Sequence, residues 1–292
     1  MTSTPVLTDP VSTASPIAVG GVGGSGTRVV AHLLQELGVH MGHDLNRSLD
    51  DLSFTALFKR RSLWPIEQSA AQLREALEIY LTSRGDLSWT DDSADTHRTR
   101  VAQLMSILVE EDAWQDGGVI TDRLEPLSIL DAGTDLWGWK EPNTHIVLPF
   151  LFQALPNMKY VHVVRNGLDM AFSTNQNQLD VWGDLLLGRP IDAHAPNDAF
   201  DYWCCVHERL LAFLPKAREQ ILIVRFESLL EQPDPILETL SDFIGIQVND
   251  EALERWRAAI STPITLGRYA KEHHLPMDER QAALLEQFGY LV

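Results

Sequence analysis

The chain has 292 residues, of which 45% are hydrophobic and 22% charged, the composition of a globular protein with enough apolar material for a sizeable core. Its formal net charge of −18 argues against a nucleic-acid-binding surface and against polyanionic acceptors such as heparin-like chains. The two cysteines, Cys204 and Cys205, are adjacent, which disfavours a bridge between them, and they show no metal-ligand spacing; they fit packing in a reducing compartment, the cytoplasm.

Met1 to Ser15 is rich in Thr, Ser and Pro and lacks the basic start and apolar run of a signal peptide, so it reads as a disordered tail. Ile17 to Val22 is a buried strand running into glycines, and Val29 to Leu37 a helix stopped by Gly38. Ile66 to Arg84 and Thr96 to Trp114 have the spacing of amphipathic helices. Asp135 to Lys140 is a second strand, and a helix over His145 to Leu155 follows Pro142. Lys159 to Val164 is a strong buried strand, followed by helices over Gly167 to Gln176 and Ala199 to Leu214. Ile221 to Val224 is the last strand, and helices close the pattern at Pro235 to Ile244 and Glu251 to Ile260. No apolar run reaches the length of a membrane span, and no internal repeat is present.

Apolar strands alternating with helices predict an α/β fold in three layers, a central, mostly parallel sheet with helices on both faces. No linker breaks the chain, so residues 16–292 read as one domain, with residues 60–134 a helical insertion after the first strand–helix unit. Ligands of such sheets bind beyond the carboxyl ends of the strands, and three polar motifs lie there.

The first is Gly20-Gly21-Val22-Gly23-Gly24-Ser25-Gly26-Thr27-Arg28. Glycines let the backbone approach an anion closely, and the free N–H groups of the helix start favour one. Ser25 and Thr27 add hydroxyls, and Arg28 adds a guanidinium suited to phosphate. Gly21 to Gly26 fits the first half of a Walker A pattern, but Thr27 and Arg28 stand where Lys and Ser/Thr should follow. That argues against a metal-dependent small-molecule kinase. Tight strand–helix packing is the alternative use of such glycines. The second motif, Val164-Arg165-Asn166-Gly167-Leu168-Asp169, ends the strongest strand, with Ser173 eight residues after Arg165. An arginine and a hydroxyl converging there suit a second phosphate, although Arg165 has Asp169 as a rival partner.

Together the two loops resemble the PAPS-dependent sulfotransferase superfamily, where a P-[K/R]-S-G-T-T loop holds the 5′-phosphosulfate and an R-[N/D]-P-x-D-x-x-x-S loop holds the 3′-phosphate. The corresponding residues here are Gly23-Gly24-Ser25-Gly26-Thr27-Arg28 and Arg165 to Ser173. Val224-Arg225-Phe226-Glu227-Ser228-Leu229 resembles the family's late strand and its end. Ile264-Thr265-Leu266-Gly267-Arg268-Tyr269 resembles the segment that closes over the nucleotide. The resemblance spans Ile17 to Tyr269 outside the predicted helices of Ile66 to Trp114, where acceptor specificity is expected. It implies a P-loop NTPase-like sulfotransferase fold and transfer of a sulfuryl group from 3′-phosphoadenosine 5′-phosphosulfate (PAPS). The acceptor is a hydroxyl or amine of a small molecule or carbohydrate. The product is 3′,5′-adenosine bisphosphate, and no metal takes part.

On this reading Gly23, Gly24, Ser25, Gly26, Thr27, Arg28, Arg165, Ser173, Gly267 and Arg268 bind the donor. Gly24 departs from the family, which has Lys or Arg there. Arg28 and Lys140 are the candidate replacements; Lys140, in Trp139-Lys140-Glu141-Pro142, resembles a K-x-P lysine of carbohydrate sulfotransferases and has Glu141 as a rival partner. A general base is also required. Asp50 is the first candidate, with Asp51, His40, His43 and His145 as rivals, and Asp50 has a competing role as the cap of a helix near Leu52. Arg225 and Glu227 read as structural, and Trp137, Trp139 and Trp182 as core or as walls of an aromatic site. A kinase on a related P-loop fold and a catalytically silent nucleotide-binding relative are the alternatives.

Overall fold

Four short apolar runs become strands: β1 (Ile17–Gly21), β2 (Gly138–Lys140), β3 (Lys159–Val164) and β4 (Ile221–Arg225). They make one sheet in the order β2-β1-β3-β4. The computed structural model describes residues 10–42, 45–84, 99, 103, 136–260, 265–271 and 275–290. β3 and β4 pair in parallel, with Tyr160 opposite Ile221 and Val164 opposite Arg225. Five of the six residues of β3 are buried, as its unbroken apolar run requires of a central parallel strand. The helices joining such strands make the fold α/β, as the alternating pattern predicts.

The chain divides into two units, residues 1–18 with 39–158 and residues 19–38 with 159–292. In the first lie α1 (Leu52–Phe58), α2 (Ala70–Ser83) and α3 (Thr144–Ala154). The spacing from Ile66 to Arg84 predicts one helix. Instead a single 3-10 turn at Ile66–Gln68 follows Pro65, and α2 starts after Ser69. The core of this unit is aromatic: Phe54 stacks on Phe58 at 4.3 Å and on Trp139 at 4.8 Å, and Tyr80 meets Trp139 edge-on at 5.7 Å. Residues 10–15 carry no helix or strand, but Val11 N–H donates to Ala154 O at 2.9 Å and Asn157 Nδ2 to Thr13 O at 2.8 Å. The helix predicted over Thr96 to Trp114 lies outside the described residues, Thr99 and Gln103 apart.

The second unit holds α4 (Thr27–Glu36), α5 (Gly167–Ala171), α6 (Asn177–Leu187), α7 (Pro196–Phe213), α8 (Phe226–Glu231), α9 (Pro233–Ile244), α10 (Asp250–Ala259) and α11 (Glu279–Gln287). The helix predicted from Gly167 to Gln176 ends five residues in. Ser173 Oγ accepts from Asn175 N, and Gln176 Nε2 donates to both Met170 O and Ser173 O at 3.0 Å. These side chains take backbone groups that a continuing helix would need. Ser173 thus sits in the turn after α5, not almost two turns into a helix. Indole N–H groups tie elements together: Trp256 Nε1 donates to Leu33 O at 2.8 Å, and Trp203 Nε1 to Arg165 O at 3.0 Å.

Candidate functional site

In the second unit the glycine loop leaves β1 and enters α4 through Gly26, whose φ is +103°. A Cβ on Gly26 would stand 2.2 Å from a Phe226 ring carbon, so both the backbone and the space exclude a side chain. The same ring lies 5.8 Å from the Arg165 guanidinium, putting Phe226 between the two loops. They also meet at Gly24, where a Cβ would fall 3.7 Å from Ser173 Oγ and 3.4 Å from Met170 Cε. Ser25 is 1% exposed, and its Oγ has no hydrogen-bond partner. A buried hydroxyl left unpaired costs free energy unless an anion or donor completes it. Thr27 is buried beside it, and Arg28 is exposed.

Arg165, 3% exposed, is anchored on one side. Its Nη2 donates to Asp169 Oδ2 at 3.0 Å and to Thr265 O, its Nη1 to Thr265 Oγ1 at 3.3 Å, and its Nε is buried without a partner. Asp169 is the node of this network: it also accepts the backbone N–H of Gly267 at 2.7 Å and of Tyr269 at 3.2 Å. The carboxylate thereby holds the predicted closing segment on the Arg165 loop. Arg268 reaches Phe172 O at 3.2 Å and Thr265 O at 3.1 Å. Burial, and next the like charge of Arg165, lower its pKa, with Asp169 opposing. The Arg165 guanidinium and the Ser173 hydroxyl thus meet a glycine-rich helix start that carries Ser25, while Asp169 holds Arg165 and the Gly267–Tyr269 segment, an arrangement suited to an anion with two charged groups.

In the first unit Lys140 ends β2, as expected of a residue at the carboxyl edge of the sheet. Its partner is Asp50, not Glu141: Nζ donates to Asp50 Oδ1 and, at 3.0 Å, to Ser48 O. Asn46 Nδ2 holds the other Asp50 oxygen at 2.8 Å. The helix cap belongs to Asp51, whose Oδ1 accepts from Phe54 N at 3.0 Å; its Oδ2 takes Tyr80 Oη at 2.9 Å and the Arg84 guanidinium. Asp51 is therefore spent on structure. Glu141, 3% exposed, accepts from Asn143 N and, at 2.8 Å, from Asn143 Nδ2, fixing the turn after Lys140. Burial, and next the charge of Asp50, push Glu141 up to about 7. Burial lowers Lys59, which Glu141 and Asp50 partly counter.

His40 bridges to Trp137 through its backbone, His145 is buried in α3, and His43 lies outside the described residues. Trp139 and Trp182 are fully buried. Glu227 accepts Asn166 N at 2.9 Å and Tyr290 Oη at 2.8 Å. The turn-fixing contacts of Glu141 and the place of Lys59 beside it are marked by no spacing in the sequence. Only the proximity of Asp169 to Arg165, four residues apart, signals its pairing. Among the described residues no group of three or more His, Cys, Asp or Glu is placed to hold a metal, and no helix is long and apolar enough to cross a membrane.

A model of the sulfotransferase family matches residues 16–250. No curated protein matches the chain. Among solved structures, the sulfotransferase domain of the Synechococcus PCC 7002 olefin synthase aligns over 100% of both chains, with a TM-score of 0.53 and 15% identity, and shares the fold. Sulfotransferase STF1 from Mycobacterium tuberculosis H37Rv aligns over 96% of this chain and 77% of its own, at 0.46 and 18%. A sulfotransferase from Alicyclobacillus acidocaldarius aligns over 94% of this chain and 95% of its own, at 0.45 and 13%.

Proposed function

We propose that this chain, which belongs to the sulfotransferase family, carries a sulfuryl group from PAPS to a hydroxyl or amine of a small-molecule or carbohydrate acceptor and releases 3′,5′-adenosine bisphosphate. The supporting observation is the meeting of the glycine loop with the Arg165–Ser173 loop in one unit, where Ser25 Oγ and Arg165 Nε are buried and unpaired. Gly23 to Thr27 and Arg28 hold the 5′-phosphosulfate. Arg165 and Ser173 hold the 3′-phosphate, and Gly267 and Arg268 close over it. The donor supplies an activated S–O bond. The protein's contribution is positioning and cationic stabilisation of the leaving phosphate, by analogy with phosphoryl transfer.

Arg28 and Lys140 are the proposed cations and Asp50 the proposed base. The acceptor's O–H or N–H bond breaks and its proton goes to the Asp50 carboxylate, a bond to sulfur forms, and the sulfur–oxygen bond to the donor phosphate breaks. For these first-unit residues the support is sequence resemblance and the Lys140–Asp50 pair. A cytoplasmic location is part of the proposal, supported by the two free thiols. Calorimetric titration with 3′,5′-adenosine bisphosphate, with Mg²⁺–ATP as control, tests the donor site. Wild-type protein binds the bisphosphate, and Arg165→Ala weakens it by roughly 10- to 100-fold, the scale of one charged hydrogen bond. No binding, or preference for Mg²⁺–ATP, overturns the proposal.

A further inference from the structure

Gln178, the second residue of α6, is 5% exposed and spends its whole carboxamide on the glycine loop. Its Oε1 accepts the N–H of Gly23 at 3.2 Å, and its Nε2 donates to Gly21 O at 3.2 Å. The bonds span 155 and 157 residues of sequence and close on a stretch where five of seven residues, Gly20 to Gly26, are glycine. Such a stretch loses more conformational freedom on ordering than any other, and its five glycines carry no side chains to hold it. Two residues earlier, Gln176 donates to Met170 O and Ser173 O and so fixes the turn that carries Ser173. One helix start therefore grips both loops.

We infer that Gln178 is the positioning residue of the donor site: it pre-sets the glycine loop, and the helix start it shares with Gln176 fixes that loop's spacing from Ser173. This rests on the donor reading above. Gln178 touches no reacting atom; it removes the entropy that the anion would otherwise have to remove on binding. Within the loop the N–H of Gly23 is taken by Gln178 and that of Ser25 by Val22 O at 3.0 Å, so the loop's shape is set by the protein's own bonds.

The test uses Gln178→Met, which keeps the volume and deletes both bonds, and Gln178→Glu, which can accept from Gly23 but opposes Gly21 O with an anion. Both raise the Kd for 3′,5′-adenosine bisphosphate, roughly tenfold for Met and further for Glu. In turnover the KM for PAPS rises while the KM for the acceptor stays, a split that general loosening of the fold does not produce. Gly23→Ala has room, its Cβ meeting nothing closer than 3.8 Å. Added to Gln178→Met, it recovers part of the loss by stiffening the loop. A measurement on wild-type protein guards against misfolded variants: the Gly23 amide exchanges slowly with solvent deuterium. Wild-type binding with both variants within about twofold, or a Gly23 amide exchanging at the rate of an open loop, overturns the inference alone. No bisphosphate binding by wild-type protein overturns the donor reading and the inference with it.

Discussion

His207 ends a buried polar file in the second unit. Its Nδ1 is 2.7 Å from Trp203 O and must be the donor there, so its Nε2 is the acceptor for His162 Nε2 at 3.3 Å, and His162 Nδ1 in turn accepts from Tyr160 Oη at 3.0 Å. The contacts fix every proton with both rings neutral. The groups facing His207 are His162, Trp203 and Phe288, none of them a formal charge. Burial lowers its pKa to about 4, with the Trp203 carbonyl opposing. The unfolded chain therefore takes up a proton near pH 6.5 that the folded chain refuses until near 4. Stability falls as pH drops through that window, by about 2 kcal/mol between pH 7 and 5. Urea unfolding at both values should show this loss in wild-type protein and its reduction in His207→Phe; equal losses in the two would dismiss the role of His207. Nothing in the sequence marks this file, because Tyr160 and His162 read as strand residues and His207 lies 45 positions from His162. The residues of the proposed anion site, Arg165, Ser25 and Ser173, are legible for the opposite reason: they lie in contiguous loops at strand ends, whereas Gln178 meets the glycine loop through tertiary placement alone.

At the scale of elements the same contrast holds. Strands β1, β3 and β4 are readable because a buried parallel strand needs an unbroken apolar run. α6 begins Asn-Gln-Leu-Asp and contains Gly183, and the short α1 and α8 offer barely two turns, so periodicity does not announce them. The start of α1 shows what the sequence conceals. Two adjacent aspartates look alike, yet Asp51 caps the helix and neutralises a buried Arg84, while Asp50 is 20% exposed and faces Lys140. Removing one partner of a buried ion pair costs about 3–5 kcal/mol, and losing a cap about 1 kcal/mol. Asp51→Ala should therefore lose about 4 kcal/mol or more. Asp51→Asn keeps an oxygen for Phe54 N and should lose less. Asp50→Asn takes the anion from the buried Lys140, but it keeps an oxygen for that ammonium and is 20% exposed to water, so it should lose less than Asp51→Ala and should lower turnover. Thermal and urea unfolding of the three variants check this. An Asp51→Ala protein as stable as wild type would mean that Arg84 finds another partner, and an Asp50→Asn as unstable as Asp51→Ala would move Asp50 from chemistry to structure.

For the molecule as a whole, the formal charge of −18 opposes the ligand that the proposed function requires. The donor and its product are polyanions, and each must approach through a repulsive long-range field to reach a site where Arg28, Arg165 and Arg268 attract it. The two effects differ in range. Repulsion from charges spread over the chain acts across tens of ångströms and is screened as the Debye length falls from about 30 Å at 0.01 M salt to about 8 Å at 0.15 M. Attraction to the buried Arg165 and half-buried Arg268 acts over hydrogen-bond distances and is screened far less. Stopped-flow binding of 3′,5′-adenosine bisphosphate should therefore show an association rate that rises over this salt range, by about two- to fivefold, while dissociation changes little. A cationic acceptor should show the reverse, its kcat/KM falling as salt is added, which is the kinetic form of the argument against sulfated polymers as acceptors. An association rate for the bisphosphate that falls steeply with salt would instead mean that the local arginines govern the approach from a distance. The acidic surface would then carry no information about which acceptors the enzyme meets.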